Sequence, residues 1–224
     1  MKREIAVSTP ENLAEFWPGS YDLFSWLDYV VTIPNAITLV TTRKANGAPN
    51  ACLHAWGMLV GDRDNYTSLL AMHETFHTYA NIQREGEWCV NYPSIDIYPQ
   101  SFQTINVNHP DNDEITEAGL TVEAAKMVKA PRVAECRLSL ECKLEWHRRL
   151  YEGSSWVLVA GKVVHVAMDE AVMGIDPEER MQAMRLMFNI RGLINPVSGE
   201  ANGYNSLGLV SEVVKAFDPR AKGE

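Results

Sequence analysis

The stretch AITLVTTRKANGAPNACLHAW, Ala36 to Trp56, decides the fold. Its first seven residues are apolar or β-branched almost without a break, the signature of a strand. NGAP then ends the run: Gly47 tolerates positive φ and Pro49 presets its own. Ala36–Thr42 and Asn50–Val60 are therefore expected to pair as a hairpin. In the second arm Ala51, Leu53 and Ala55 alternate with Cys52, His54 and Trp56. A packed core alone does not require small residues on one face and a thiol, an imidazole and an indole on the other. A surface that admits a flat ligand does.

Outward from this hairpin the pattern stays rich in strands. Residues 1–33 read as a helical N-terminal arm whose apolar face carries Tyr21, Phe24, Trp26, Leu27 and Val30. Ser68–Met72 is a third strand. HTYANIQREG is a short helix stopped by Gly86, and WCVNY is a strand closed by Pro93. Ser94–Lys129 is a polar excursion with short helical pieces, one near Asp113–Ala118. After Pro131 a period of two is clear. Ala134, Cys136, Leu138, Leu140, Cys142, Leu144 and Trp146 are expected to face a core. Glu135, Arg137, Ser139, Glu141, Lys143 and Glu145 are expected to face water. A second long strand spans Trp156–Met168, with Gly161 as a bend or bulge, and Glu152–Ser154 turns between the two. Pro177–Asn189 reads as a helix carrying Met181, Met184 and Phe188 on one stripe. Leu207–Phe217 reads as a last helix. Many strands, few helices and no βαβ alternation predict a mainly β protein, an antiparallel β-barrel with helical additions. No domain boundary is placed.

The 224 residues, 46% of them hydrophobic, suffice for a sizeable core. A formal net charge of −9 disfavours nucleic acid and anionic membrane as partners, since both need a basic surface. No apolar run approaches the roughly 20 residues that span a bilayer, and no signal peptide is read at the start. A cytoplasmic location is expected, with Cys52, Cys89, Cys136 and Cys142 reduced.

His73-Glu74-Thr75-Phe76-His77 matches HExxH. On a helix both imidazoles would share a face and hold zinc, with the glutamate as general base. The preceding SLLAM reads as a strand, so the helix starts nearer Thr78 and the motif lacks its context; no metal site is assigned. A strand, a short loop and a helix starting near Thr78 instead present free amides and a positive dipole end to a phosphate. Thr78 is available to cap that helix or to bond the phosphate, and His77 to add a donor. GxGxxG, GxxxxGK[ST] and GxSxG are all missing, so a dinucleotide fold, a P-loop and an α/β-hydrolase are unsupported. No catalytic side chain is assigned.

Several segments in order resemble the flavin reductase-like, FMN-binding split-barrel family, which includes the flavoredoxins. They are PNAITLVTTRKANGAPNACLHAWGM, HTYANIQREGEWCVNYPS, ITEAGLTVEAAKMVKAPRVAECRLSLECKL, GKVVHVAMDE and the segment around Tyr204. The resemblance runs from about Pro34 to Gly208 and implies an FMN-binding split β-barrel, with residues 1–224 read as a single domain of that type and 1–33 as its helical arm. It implies an oxidoreductase moving electrons from NAD(P)H, as co-substrate, through bound FMN to a flavin, metal or protein acceptor. Its site residues would be Asn50, Ala51, Cys52, Trp56, His77 and Thr78. Asn50 would bond the polar edge of the isoalloxazine, the Ala51 and Cys52 backbone would approach the ring, and Trp56 would border it. The cofactor performs the chemistry, and the protein orients it. Relatives are usually homodimers, and the aromatic arm would cover either the partner or its own site. An FMN-binding electron carrier without NAD(P)H activity and an HExxH zinc hydrolase are the alternatives. Two positions depart from the family pattern: relatives often carry Arg at His73 and Lys near Glu114, and both changes remove positive charge from the flavin region.

Overall fold

The computed structural model describes residues 1–214 apart from Arg3, Asn12, Ala14 and residues 192–193 and 202–205. Tyr204 and residues 215–217 of the expected last helix lie outside the described residues. The chain opens with an arm whose described residues are helical only in two single turns, α1 (Ser20–Leu23) and α2 (Asp28–Val31). β1 (Asn35–Ala36) precedes β2 (Thr38–Arg43), which turns at Gly47, φ 85°, into β3 (Pro49–His54). β4 (Gly57–Asp62) and β5 (Asn65–His73) make a second hairpin. α3 (His77–Glu85) is closed by Gly86 at φ 69° and leads into β6 (Glu87–Asn91). The polar excursion holds a 3-10 turn at Ile95–Ile97, α4 (Tyr98–Asn106), α5 (Glu114–Glu117) and a small ladder of β7 (Val122–Glu123) with β8 (Arg132–Val133). β9 (Leu138–Arg149) and β10 (Trp156–Met168) form the long hairpin. α6 (Glu170–Met173), α7 (Pro177–Met184), β11 (Met187–Asn189) and β12 (Leu207–Leu209) follow.

The main sheet is antiparallel in the order β3-β2-β6-β9-β10-β5-β4. β3 and β4 therefore hold opposite edges, yet only Ala55 and Trp56 separate them in the chain. Laid flat, seven strands at roughly 4.8 Å per step would put those edges about 29 Å apart. The three Cα steps from His54 to Gly57 reach about 11 Å at most. The sheet must roll until its edges meet, so it is a barrel, and it is split where β3 and β4 diverge. The expected single strand Asn50–Val60 is thus two. Its first half pairs with β2, and its second half pairs with β5 across the split.

The barrel interior is filled by Val40, Leu70, Met72, Trp88, Leu140 and Val159, with Ile82 of α3 plugging one end. A second cluster, Leu39, Ala51, Ile115 and Val133, packs α5 on the outer face of β2 and β3. Strand β2 is consequently buried on both faces. The same covering corrects the expectation for β9. Ser139 and Glu141 do not face water, because the segment before Pro131 lies over them. Glu141 is fully buried and accepts the amides of Lys126 and Met127, while Ser139 donates to Asn91.

Two expected helices are shortened or replaced. α7 stops at Met184 because Arg185 turns left-handed, φ 50°, and Phe188 then lies in β11. Leu207–Leu209 is a strand rather than a helix, paired with β11, whose other edge carries β1. Helical spacing of apolar residues there coincides with strand pairing contributed by distant segments.

Gly161 sits at the expected bulge, where the β9–β10 register shifts. A Cβ there would lie 2.1 Å from the Trp88 ring and 2.7 Å from the Lys143 carbonyl. Gly161→Ala is expected to destabilise the fold by about 1–3 kcal/mol through overpacking. Urea unfolding measures this, and an unchanged midpoint would refute the packing account.

Candidate functional site

The edge of β3 floors a cavity of about 680 Å³. One wall is the arm, through Phe16, Trp17 and Phe24. α4 also lines it, through Tyr98, Phe102 and Ile105. The start of α3, Asn189 and Arg191 line it as well. All six sequence-predicted residues, Asn50, Ala51, Cys52, Trp56, His77 and Thr78, line this one cavity.

Their roles differ from those expected. Asn50 is buried and donates from Nδ2 to Thr78 Oγ1 at 3.0 Å, tying β3 to α3. Thr78 is therefore not the helix cap. The N-cap position is Phe76, which has no side chain to cap with, so first-turn amides of α3 remain for a ligand. His77 opens the helix, and its Nδ1 lies 3.0 Å from Asn108 Oδ1. The Ala51 amide is not free for a ring: it donates to Glu114 Oε2 at 2.8 Å. Outward amides on an edge strand recur at every second residue, so Leu53 presents the next one to the cavity.

Glu114 is 1% exposed and lines the cavity. The Asp113 side chain caps α5 by accepting the amides of Ile115 and Thr116, which sets Glu114 inward. Lys44, 4% exposed, answers it at 2.9 Å and also donates to both oxygens of Asn112 and to the His109 carbonyl. The departure at Glu114 thus leaves a neutral pair under the floor rather than a bare negative charge. Lys44 is a functional neighbour that reading the sequence missed; a lysine in a turn carries no signal of burial.

Cys52 and His54 are held inactive. Burial pushes the Cys52 thiol up to about 11 against a weaker lowering by Thr78, so it is no nucleophile at neutral pH. Burial pulls His54 down to about 4; its Nε2 lies 3.1 Å from the Trp56 carbonyl and so carries the hydrogen of a neutral ring.

Trp56 borders the cavity under the arm. Phe24 stacks on it at 5.2 Å with 10° between planes, and Trp156 meets it edge-on at 5.4 Å. Trp156 Nε1 donates to the Leu23 carbonyl, so the arm is pinned on its own chain. The Arg191 guanidinium carbon lies 4.3 Å from the Trp56 ring centre. Arg191 went unassigned in the sequence, since nothing local to it names its partner, whereas Phe24 belongs to the arm expected to cover either the site or the partner.

The HExxH residues do not share a helix. His73 ends β5, His77 begins α3, and Glu74 pairs with Arg149 at 2.6 Å. Among the described residues, no group of three His, Cys, Asp or Glu side chains is placed to hold a metal. The HExxH pattern therefore lacks the helix that would set both imidazoles on one face.

The profile of the Flavin reductase like domain family matches residues 30–181, more than half of the chain, and the chain belongs to that family. An uncharacterized protein of Methanothermobacter thermautotrophicus is 29% identical over 148 residues, 66% of this chain and 68% of that protein. Protein YwrF of Bacillus subtilis, also uncharacterized, is 29% identical over 146 residues, 62% of this chain and 71% of its own. Among solved structures, nitrilotriacetate monooxygenase component B from Bacillus cereus is similar with a TM-score of 0.74. It is 16% identical and covers 96% of this chain and 100% of its own. Flavoredoxin of Desulfovibrio vulgaris has a TM-score of 0.68 at 18% identity, over 99% of this chain and 100% of its own. A split barrel domain protein from Shewanella frigidimarina has a TM-score of 0.70 at 20% identity, over 92% and 99%. The fold is that of the flavin reductase-like split barrels.

His54 sets a pH dependence. Above its unfolded value of 6.5 both states are neutral and its contribution to stability is complete. As pH falls from 6.5 towards about 4, the unfolded chain binds a proton that the folded chain refuses, and stability drops. The expected loss is on the order of 3 kcal/mol across that window. Urea melts at several pH values measure it, and His54→Gln is expected to flatten the profile.

Proposed function

We propose that this flavin reductase-like protein is an FMN-binding oxidoreductase, moving electrons from NAD(P)H through bound FMN to a flavin, metal or protein acceptor. The observation that supports this most is the cavity on the β3 edge, lined by aromatic side chains of the arm and α4 and by Thr75, His77 and Thr78 at the start of α3. The residues fit the cofactor. A flat isoalloxazine would lie against β3, where Ala51 and Cys52 are small and the Leu53 amide faces outward. The phosphate would sit at the uncapped start of α3, with His77 and Thr75 beside it. Lys44 keeps the floor electrically neutral by pairing with Glu114.

FMN, when bound, supplies the hydride and electron chemistry. The protein binds it, orients it and excludes water. His54 and Cys52 offer no proton at neutral pH, which suits a reaction without a protein acid or base. A homodimer belongs to this proposal, supported by the exposed apolar Met58 and Val60 on edge strand β4 and Tyr66 beside them. Four free cysteines suit a reducing compartment such as the cytoplasm. The net charge of −9 argues against nucleic acid and anionic membrane as partners, and no helix of the described residues is long and apolar enough to cross a membrane.

The deciding experiment is a visible absorption spectrum of the protein with FMN, before and after anaerobic NADH or NADPH. A bound flavin spectrum that bleaches is expected. A bound flavin that does not bleach makes the protein a carrier, and no binding overturns the proposal. His77→Ala is expected to weaken FMN about tenfold, the worth of a hydrogen bond to a charged group, and to leave riboflavin unaffected. Equal losses for both flavins would remove His77 from the phosphate end.

A further inference from the structure

The part of the arm that covers the cavity lies ahead of the family-matched region. Phe16, Trp17, Leu23, Phe24 and Tyr29 line the cavity, and the match begins at residue 30. Lining residues that are also exposed mark where the cavity opens. They are Trp17 of the arm, Phe102 and Ile105 of α4, Asn108 beyond it, and Thr75 and His77 at the start of α3. The width of that mouth therefore depends on where the arm stands.

The arm is held in two different ways. Its second half is anchored to the chain beyond α7: the Ile194 amide donates to the Tyr29 carbonyl at 3.0 Å, and Asp28 pairs with Arg191 at 3.6 Å. Its first half carries α1, a single turn with little stability of its own. That half meets the barrel at Trp156. Trp156 Nε1 donates to the Leu23 carbonyl at 3.1 Å, and its ring lies 6.2 Å from that of Phe24. The same indole meets Trp56 at 5.4 Å and Phe76 at 6.3 Å. Phe24, Trp56 and Phe76 all line the cavity, whereas Trp156 does not. One side chain outside the cavity thus bears on three of the segments that line it. Its own place is set by the barrel, since it opens β10 in register with His73 of β5. The two halves of the arm join at Ser25, an exposed residue between α1 and α2, and Phe24 before it is extended.

We propose that residues 16–24 form a lid over the mouth of the cavity, and that Trp156 is the positioning residue that latches it. The lid turns about Ser25 while α2 stays docked. Breaking the Trp156–Leu23 hydrogen bond and the Phe24–Trp56 stack frees α1 and widens the mouth, and remaking them shuts the ligand in. The stack acts twice, because Trp56 both lines the cavity and seats Phe24. The proposal rests on FMN occupying the cavity. It makes lid opening, rather than contact with the walls, the step that sets how fast flavin enters and leaves.

The test follows FMN binding and release by stopped-flow fluorescence in the full chain, for wild type and for Trp156→Phe, which keeps a ring but loses the donor. Loss of the latch is expected to raise the association and dissociation rates together, each about fivefold, the worth of one neutral hydrogen bond, and to leave Kd nearly unchanged. A side chain that only supports the walls alters dissociation and leaves association alone, so an unchanged association rate overturns the proposal. Amide hydrogen exchange gives a readout that needs no flavin. Residues 16–24 are expected to exchange about fivefold faster in Trp156→Phe than in wild type, with β2 and β6 unchanged. Equal exchange of that segment in the two proteins also overturns the proposal. Phe24→Leu, which removes the stack, takes the place of Trp156→Phe in both measurements if thermal melting shows the latter unfolded. Failure of FMN to bind wild type refutes the cofactor reading instead, and hydrogen exchange then decides the lid by itself.

Discussion

Ala55 and Trp56 join the two edges of a seven-stranded sheet, and the rest of the structure follows from that short tether. The sheet must curl, so one face becomes an interior that Trp88 and its neighbours fill. The edges cannot pair where the chain passes between them, so β3 keeps a row of outward amides. A sheet edge normally invites pairing with another strand. Here it is covered by α4, α5 and the arm, with enough space left for a flat ligand. The binding edge is thus a by-product of closure rather than an addition to it.

Charge at the site is handled by pairing, not by exclusion. Glu114 would be an expensive group beneath a ligand cavity if it stood alone. Lys44 cancels it, and the loop from His109 to Asn112 saturates the ammonium. Glu114 also holds the Ala51 amide, which fixes β3 against α5. Removing one partner of such a pair is far more damaging than replacing both. The pair is therefore a hinge pin for the cavity floor, and the departure from the family pattern at Glu114 is matched within the same chain.

Features set by neighbours in the chain were legible in the sequence. The β2–β3 turn follows from Gly47 and Pro49, α3 ends at Gly86 as glycine placement requires, and the β9–β10 hairpin follows from its period of two and the Gly161 bulge. Features set by distant partners were not. Alternation runs on through Ala55 and Trp56, so nothing local marks the point where the chain changes edges. Glu141 alternates like a solvated residue and is buried because the segment around Lys126 folds over it. All six predicted site residues do reach one cavity. The contacts that give them their roles come from Glu114, Lys44, Phe24 and Arg191, which lie up to 141 residues away from them in the sequence. The arm reads as helical from its apolar spacing, yet its aromatic rings are spent on Trp56 and Trp156 rather than on a helix face.

The strand order also governs how the chain reaches this state. The β2–β3, β4–β5 and β9–β10 ladders close over short loops. The β5–β10 ladder joins His73 to Trp156, and the β6–β9 ladder joins Asn91 to Ser139. Closing such long loops costs entropy before contacts repay it. The three hairpins therefore form early and assemble late, and the barrel is paced by its three long-range seams, the third being β2–β6, which joins Leu39 to Asn91. Until β10 docks on β5, those two strands leave their facing edges unpaired. In a cell, that interval is when the nascent chain depends most on protection from its own copies.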